Sequence, residues 1–374
     1  MREDYFGEGG LNYTYCRTHL DSCDFSLGNY SAVEDENDIE LSTFNLDRDK
    51  QYIIPMIRRA KATSSRPIKL MLSPWSPPAY MKTNGMKNNG GQLKPEFRSL
   101  WAKYISRYIL EYQKLGIKIT SITVQNEPKA VQKWDSCLYS AEEEGSFVSD
   151  FLAPRLEKDS LSDIEIIIWD HNKERAYERA ASTLAVGECE NKVAGIGFHW
   201  YSGDHFEVLD IIGKVYPDKK LILTEGCVEY SKFERDNHLK NAQIYAHDII
   251  GNLNAGMHAF IDWNLVLDEK GGPNHVGNFC DAPIMCDTIH NTYEKRLSHT
   301  YIGHFSKYIL PEAIRIGCSR YSDKLEVTAF KNSNGSHVVV VLNRTQEQLG
   351  YTLRLDNKIC GLQAKPSSIT TLVY

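Results

Sequence analysis

The chain has 374 residues, 42% of them hydrophobic and 25% charged, which excludes disordered and fibrous classes and leaves room for one large core and a small accessory domain. A net charge of −6 offers no excess of positive charge to neutralise a phosphate backbone or an anionic membrane, so nucleic acid is not an expected partner. No run reaches the roughly 18 apolar residues of a membrane span, Met1 to Gly10 is acidic and glycine-rich rather than a signal peptide, and the nine cysteines contain no C-x-x-C pair.

In chain order, short apolar or β-branched runs alternate with longer helical patterns as far as about residue 308, the pattern of repeated β/α units around a parallel sheet. Strands are expected at Gly10 to Arg17, Ile68 to Ser73, Ile119 to Gln125, Ile164 to Trp169, Val193 to His199, Leu221 to Thr224 and His258 to Trp263. Helical spacing falls at Asp47 to Ala62, Pro95 to Leu115, Ala141 to Leu156 and Lys240 to Leu253. The fold class this predicts is α/β, a TIM-type barrel over residues 1–310. Strand after strand ends in polar or aromatic side chains: Arg17, Ser73 with Trp75, Asn126 with Glu127, Asp170 with Asn172, His199 to Tyr201, Glu225, and Trp263 with Asn264. In such a barrel that rim is the active-site face. From Pro311 short alternating strands replace this pattern, at Leu325 to Phe330, His337 to Leu342, Tyr351 to Leu355 and Ile369 to Tyr374, with an Asn334-Gly335 turn. They predict a C-terminal all-β sandwich over residues 311–374, thin enough to need the barrel for support.

Cleaving a glycoside with retention needs two carboxyl groups about 5 Å apart on either side of the bond, one protonated and one ionised. Glu127, ending SITVQNEP, and Glu225, ending LILTEGC, each follow a buried strand and can meet that need as acid/base and nucleophile. Asn126 can hydrogen-bond the sugar 2-hydroxyl, and Pro128 ends the strand. Trp75, Trp200 and Trp263 stand just past strand ends, where an indole face can stack on a pyranose ring, and His199 is placed to hydrogen-bond near a carboxylate. No cluster has metal-ligand spacing and no G-x-S-x-G elbow is present, so neither a metal nor a cofactor is expected, and the expected partner is a carbohydrate or glycoconjugate substrate.

SCDFS at Ser22, LSPWSPPAYMKTNG at Leu72, QNEP at Gln125, HWY at His199, LTEGCV at Leu223, DWNLVLDEKGGPN at Asp262 and GHFSKYI at Gly303 together resemble glycoside hydrolase family 30, in particular its glucosylceramidase branch. The resemblance implies a (β/α)₈ barrel with an attached β-sandwich, Glu127 as acid/base from strand four and Glu225 as nucleophile from strand seven. It carries substrate-binding roles to Asp24, Trp75, Asn126, Tyr201, Trp263 and Asn278, and places Arg17 beside the nucleophile, where its charge favours ionised Glu225. Glu127 is then expected to be kept protonated by a less polar surrounding and by repulsion from its partner. An endo-β-1,6-glucanase of the same family and a catalytically impaired carbohydrate-binding protein are the alternatives. The loop from Lys129 to Tyr139 is shorter than in the glucosylceramidase branch, which weighs against ceramide as leaving group.

Family members begin with a stretch that adds to the sandwich and then a first barrel strand containing G-F-G-G, and neither is present. Met1 is therefore expected to be an internal start, the start of a truncated gene model or that of a deliberately shortened chain, with strand one absent and its two neighbours carrying unpaired edges. A barrel opened in this way is expected to be less active and less stable than one extended upstream, which a comparison of activity and melting temperature tests. A secreted or lysosomal-type destination is implied if the N-terminus lies upstream.

Overall fold

The computed structural model describes residues 1–355 and 357–374. Seven strands form one parallel sheet in chain order: β1 (Tyr15–Leu20), β2 (Lys69–Pro74), β3 (Ser121–Thr123), β4 (Glu165–Asn172), β5 (Val193–His199), β6 (Lys220–Glu225) and β7 (Ala259–Phe260). Each pairs only with its sequence neighbours, and β1 and β7, the outer strands, do not pair with each other. The sheet is a curled half-barrel, open between those two strands. All seven expected strands are present, and their β-branched and aliphatic interiors (Ile166 to Ile168, Leu221 to Leu223) are buried as a sheet covered on both faces requires.

The first strand differs from expectation. Residues 10 to 13 are not strand but turn back on the helix Arg2–Phe6, with Leu11 N–H donating to the Asp4 carbonyl and Tyr13 N–H to the Tyr5 carbonyl. A side chain at Gly10 would meet the Glu3 carbonyl oxygen at 2.2 Å, which is why glycine stands there. At its other end the strand runs on to Leu20, so Arg17 is in mid-strand rather than at a strand end. Tyr5 donates to the carbonyl of Leu265, just beyond β7, and Tyr5, Phe6 and Leu11 pack with Ala60 and Ile284.

Helices cover the outside. Arg98–Lys114 buries Trp101, Tyr104, Ile105, Tyr108, Ile109 and Tyr112 at spacings of three and four. Its Tyr104 hydroxyl donates to Asp21, and those of Tyr108 and Tyr112 donate to Asp49, so two buried carboxylates are satisfied from one helix face. The expected helix from Ala141 starts with a Ser140/Glu143 capping box, widens to a π turn over Phe147–Leu152, and resumes at Ala153–Lys158.

Beyond the helix Leu297–Ser306, four strands (Ile314–Arg315, Leu325–Lys331, His337–Asn343, Ser368–Val373) form an antiparallel sheet, faced by the hairpin Leu349–Leu355 with Lys358–Ala364. The run from Val338 to Leu342 is apolar throughout because it serves two faces. Val338, Val340 and Leu342 join the barrel core, while Val339 and Val341 pack with Leu325, Ala329 and Ala364 inside the sandwich. The sandwich thus leans on the barrel through this face, with further contacts from Glu326 to His247 and from Thr371 to His304. No helix among the described residues is long and apolar enough to cross a membrane.

Candidate active site

The C-terminal ends of the strands converge on Arg17, whose side chain is almost fully buried. Its Nε donates to Ser73 on β2 (2.8 Å), Nη1 to Glu225 on β6 (2.8 Å), and Nη2 to Asn126 just past β3 (2.9 Å) and Asp170 on β4 (2.7 Å). One planar cation from β1 therefore ties together side chains from four other strands. By taking the Asn126 carbonyl oxygen it leaves over the amide NH₂, the group able to donate to a sugar hydroxyl.

His199, ending β5, has no exposed surface. Its Nε2 meets Asp170 Oδ1 at 3.0 Å, and its Nδ1 lies 3.2 Å from Glu127 Oε1 and 4.0 Å from Glu225 Oε1. Both glutamates thus approach one imidazole nitrogen, although they leave the sheet from strands three apart. Tyr201 donates to Glu225 Oε1 (3.0 Å), and Gln132, from the short loop after Pro128, donates to Glu127 Oε2 (3.2 Å).

The backbone here is strained. Glu127, Trp169 and Asp170 have φ of 46°, 72° and 50°, a left-handed region that costs a non-glycine residue about 1–3 kcal/mol. The β4–β5 register shifts between Trp169 and His171. Side chains of neighbouring residues in a regular strand face opposite ways. The irregularity lets Asp170 meet Arg17 while His171 Nδ1 comes within 3.6 Å of Glu127 Oε1.

The charges divide unevenly. Burial would raise Asp170, but the Arg17 charge and the bond from His199 hold it well below the carboxylate range. Burial would lower His199, but Glu225 and the bonds to Asp170 and Glu127 push it up to about 9. Glu127 is held low against its burial by His199 and His171. Glu225 is raised by burial and by the Glu127 charge, which outweigh His199 and Arg17. The shifts thus run opposite to the expected ones: Glu225 is raised in spite of Arg17, and Glu127 is lowered in spite of its burial. Glu127 has the imidazoles of His199 and His171 rather than apolar groups beside it.

A second group lies alongside. Asp24 accepts from Asn274 (3.1 Å) and Asn278 (3.4 Å), and burial with the Glu225 charge pushes it up to about 8. Trp75 is buried, stacked on half-buried Trp263 at 5.0 Å and covered by the Arg17 guanidinium at 4.6 Å. Trp200 is turned away: its Nε1 donates to the Cys227 carbonyl and its ring packs on Tyr245, so of the three rim tryptophans it belongs to the core. Every other predicted site residue falls in or beside this cluster, but Arg17 and His199 touch carboxylates rather than open space. Asp170, His171 and Gln132 were not among the predicted site residues. Only Asp170 left a signal, a carboxylate directly after the apolar run IIIW.

Residues 1–309 match the model of the glycosyl hydrolase family 30 TIM-barrel domain, and residues 312–372 that of the family 30 beta sandwich domain. The lysosomal acid glucosylceramidase of Mus musculus is 34% identical over an alignment of 369 positions that covers 94% of this chain and 72% of that protein. An endo-1,6-beta-D-glucanase of Neurospora crassa is 27% identical, over 92% of this chain and 73% of its own. The crystal structure of SrfJ from Salmonella typhimurium superposes with a TM-score of 0.96 at 41% identity, over 100% of this chain and 83% of that one.

Proposed function

The chain belongs to glycosyl hydrolase family 30 and is a retaining β-glycosidase, and from that premise we propose that Glu225 is its nucleophile and Glu127 its acid/base. The observation that carries this assignment is the approach of both carboxylates to the single nitrogen of His199, with Glu225 alone bonded to Arg17 and Tyr201. In the first step the His199 proton passes across 3.2 Å to Glu127, which delivers it to the leaving oxygen while Glu225 attacks the anomeric carbon. Water then attacks the glycosyl ester, Glu127 takes its proton, and Glu225 departs as carboxylate. His199 recovers the proton from Glu127, so the cycle balances. Asn126 and Asp24, with Trp263, Tyr201 and Asn278, hold the sugar, while Arg17 and His199 act by positioning and charging the carboxylates.

The substrate is a β-glucoside, with a glucosylceramide-type leaving group as the first reading. Gln132 and His171 beside Glu127 favour a second: they present polar groups on the leaving-group side, which suits a sugar hydroxyl better than a lipid chain. Hydrolysis of 4-nitrophenyl β-glucoside followed by NMR tests the mechanism. The β-anomer should appear first, and early α-product would overturn it. Glucosylceramide, gentiobiose and a β-1,6-glucan as competing substrates separate the two leaving groups by their kcat/KM ratios.

A further inference from the structure

We propose that Glu127, His171 and His199 form a three-ligand site for a borderline divalent cation of the zinc class, and that an ion seated there blocks hydrolysis. The three donor atoms lie within 4.8 Å of one another, with Glu127 Oε1 at 3.2 Å from His199 Nδ1 and 3.6 Å from His171 Nδ1. Ligands on a tetrahedral zinc with bonds of about 2.0–2.2 Å stand roughly 3.3 Å apart, so side-chain adjustment alone closes the set.

Two further observations point the same way. His199 gives its other nitrogen to Asp170, itself held by Arg17 and Thr224, the carboxylate–imidazole arrangement that orients a metal ligand. His171 Nδ1 is buried with no hydrogen-bond partner among the described residues, and left-handed residues at Trp169 and Asp170 bring it to this side of the strand. Two imidazoles and one carboxylate suit zinc, whereas magnesium and calcium prefer oxygen donors. Three protein ligands leave a fourth position for water. A bound ion would occupy the oxygen and the nitrogen that handle the proton in catalysis. The blocking effect rests on Glu127 as acid/base; the binding does not.

Isothermal titration of the intact chain with zinc chloride should show one zinc per chain, and magnesium none at the same concentration. His171→Gln and His171→Asn should each weaken zinc at least about tenfold while melting with wild-type cooperativity. Zinc should compete with 4-nitrophenyl β-glucoside at a constant matching the titration, reversed by EDTA. Should both variants unfold, a zinc-soaked crystal decides by an anomalous peak about 2.0–2.2 Å from the three atoms. No binding at millimolar zinc, unchanged binding in a folded variant, or a peak elsewhere would overturn the site. Binding at the site without inhibition would overturn the blocking and count against Glu127 as acid/base.

Discussion

Two histidines in this molecule sit in nearly the same constellation. His199 lies between Glu127 and Asp170 with Arg17 on Asp170, at the mouth of the sheet. His247, on the helix His238–Asn254, lies between Glu326 of the sandwich (2.5 Å) and Asp204 (3.0 Å), with Arg344 on Glu326 (2.5 Å). Both are raised in pKa by their carboxylates. They differ in burial: His199 is wholly enclosed, whereas 22% of the His247 side chain faces solvent. The constellation alone does not make a catalytic site. Enclosure strengthens each charge interaction, and the buried copy has a further carboxylate, that of Glu225, 4.0 Å from its Nδ1. The exposed copy fastens one domain to the other.

The sharpest break of this contrast is at the further carboxylate. Glu225→Gln should lower kcat by about 10⁴-fold or more, and activity near wild type would remove the nucleophile assignment. Glu127→Gln should cost about 10²–10⁴-fold with poor leaving groups and less with 4-nitrophenol, which scarcely needs a proton; equal losses for both would speak against acid catalysis.

Matched arginine changes come next. Arg17→Met strands the buried Asp170 and Glu225 and should cost about 3–5 kcal/mol in urea unfolding. Arg344→Met, on a half-exposed pair, should cost no more than about 1 kcal/mol. Similar costs would mean that burial does not separate the two sites.

The smallest effect belongs to the docking contact. His247→Gln should leave kcat/KM alone and remove only about 0.5 kcal/mol of stability. Because the folded pKa of His247 lies above its ordinary 6.5, its contribution is full below that pH and is lost as pH rises through the folded value. Glu326 is shifted below its ordinary 4.5, so its contribution is present above that pH and is lost as pH falls through the folded value. The melting difference between wild type and variant should therefore be widest between about pH 4.5 and 6.5. A difference independent of pH would show that the contact holds by packing alone.

The sequence by itself determined the order of the seven strands, the two-domain plan and the rim on which Glu127 and Glu225 stand. Apolar runs and turn residues report burial and strand ends directly, and a carboxylate straight after a buried strand has few other places to go. It did not determine which rim residues face inward. Trp200 and Trp263 both follow strands, yet one packs in the core on Tyr245 and the other stacks on Trp75. Arg17 was read as a strand end and proved to be a mid-strand hub, because the strand goes on pairing with β2 as far as Leu20. His171 was hidden altogether, since period-two alternation places it opposite Asp170 and only a register shift against β5 turns it to Glu127. Local pattern sets which segments are buried; the curl and register of the sheet, which depend on residues far apart in the chain, decided which buried polar groups meet.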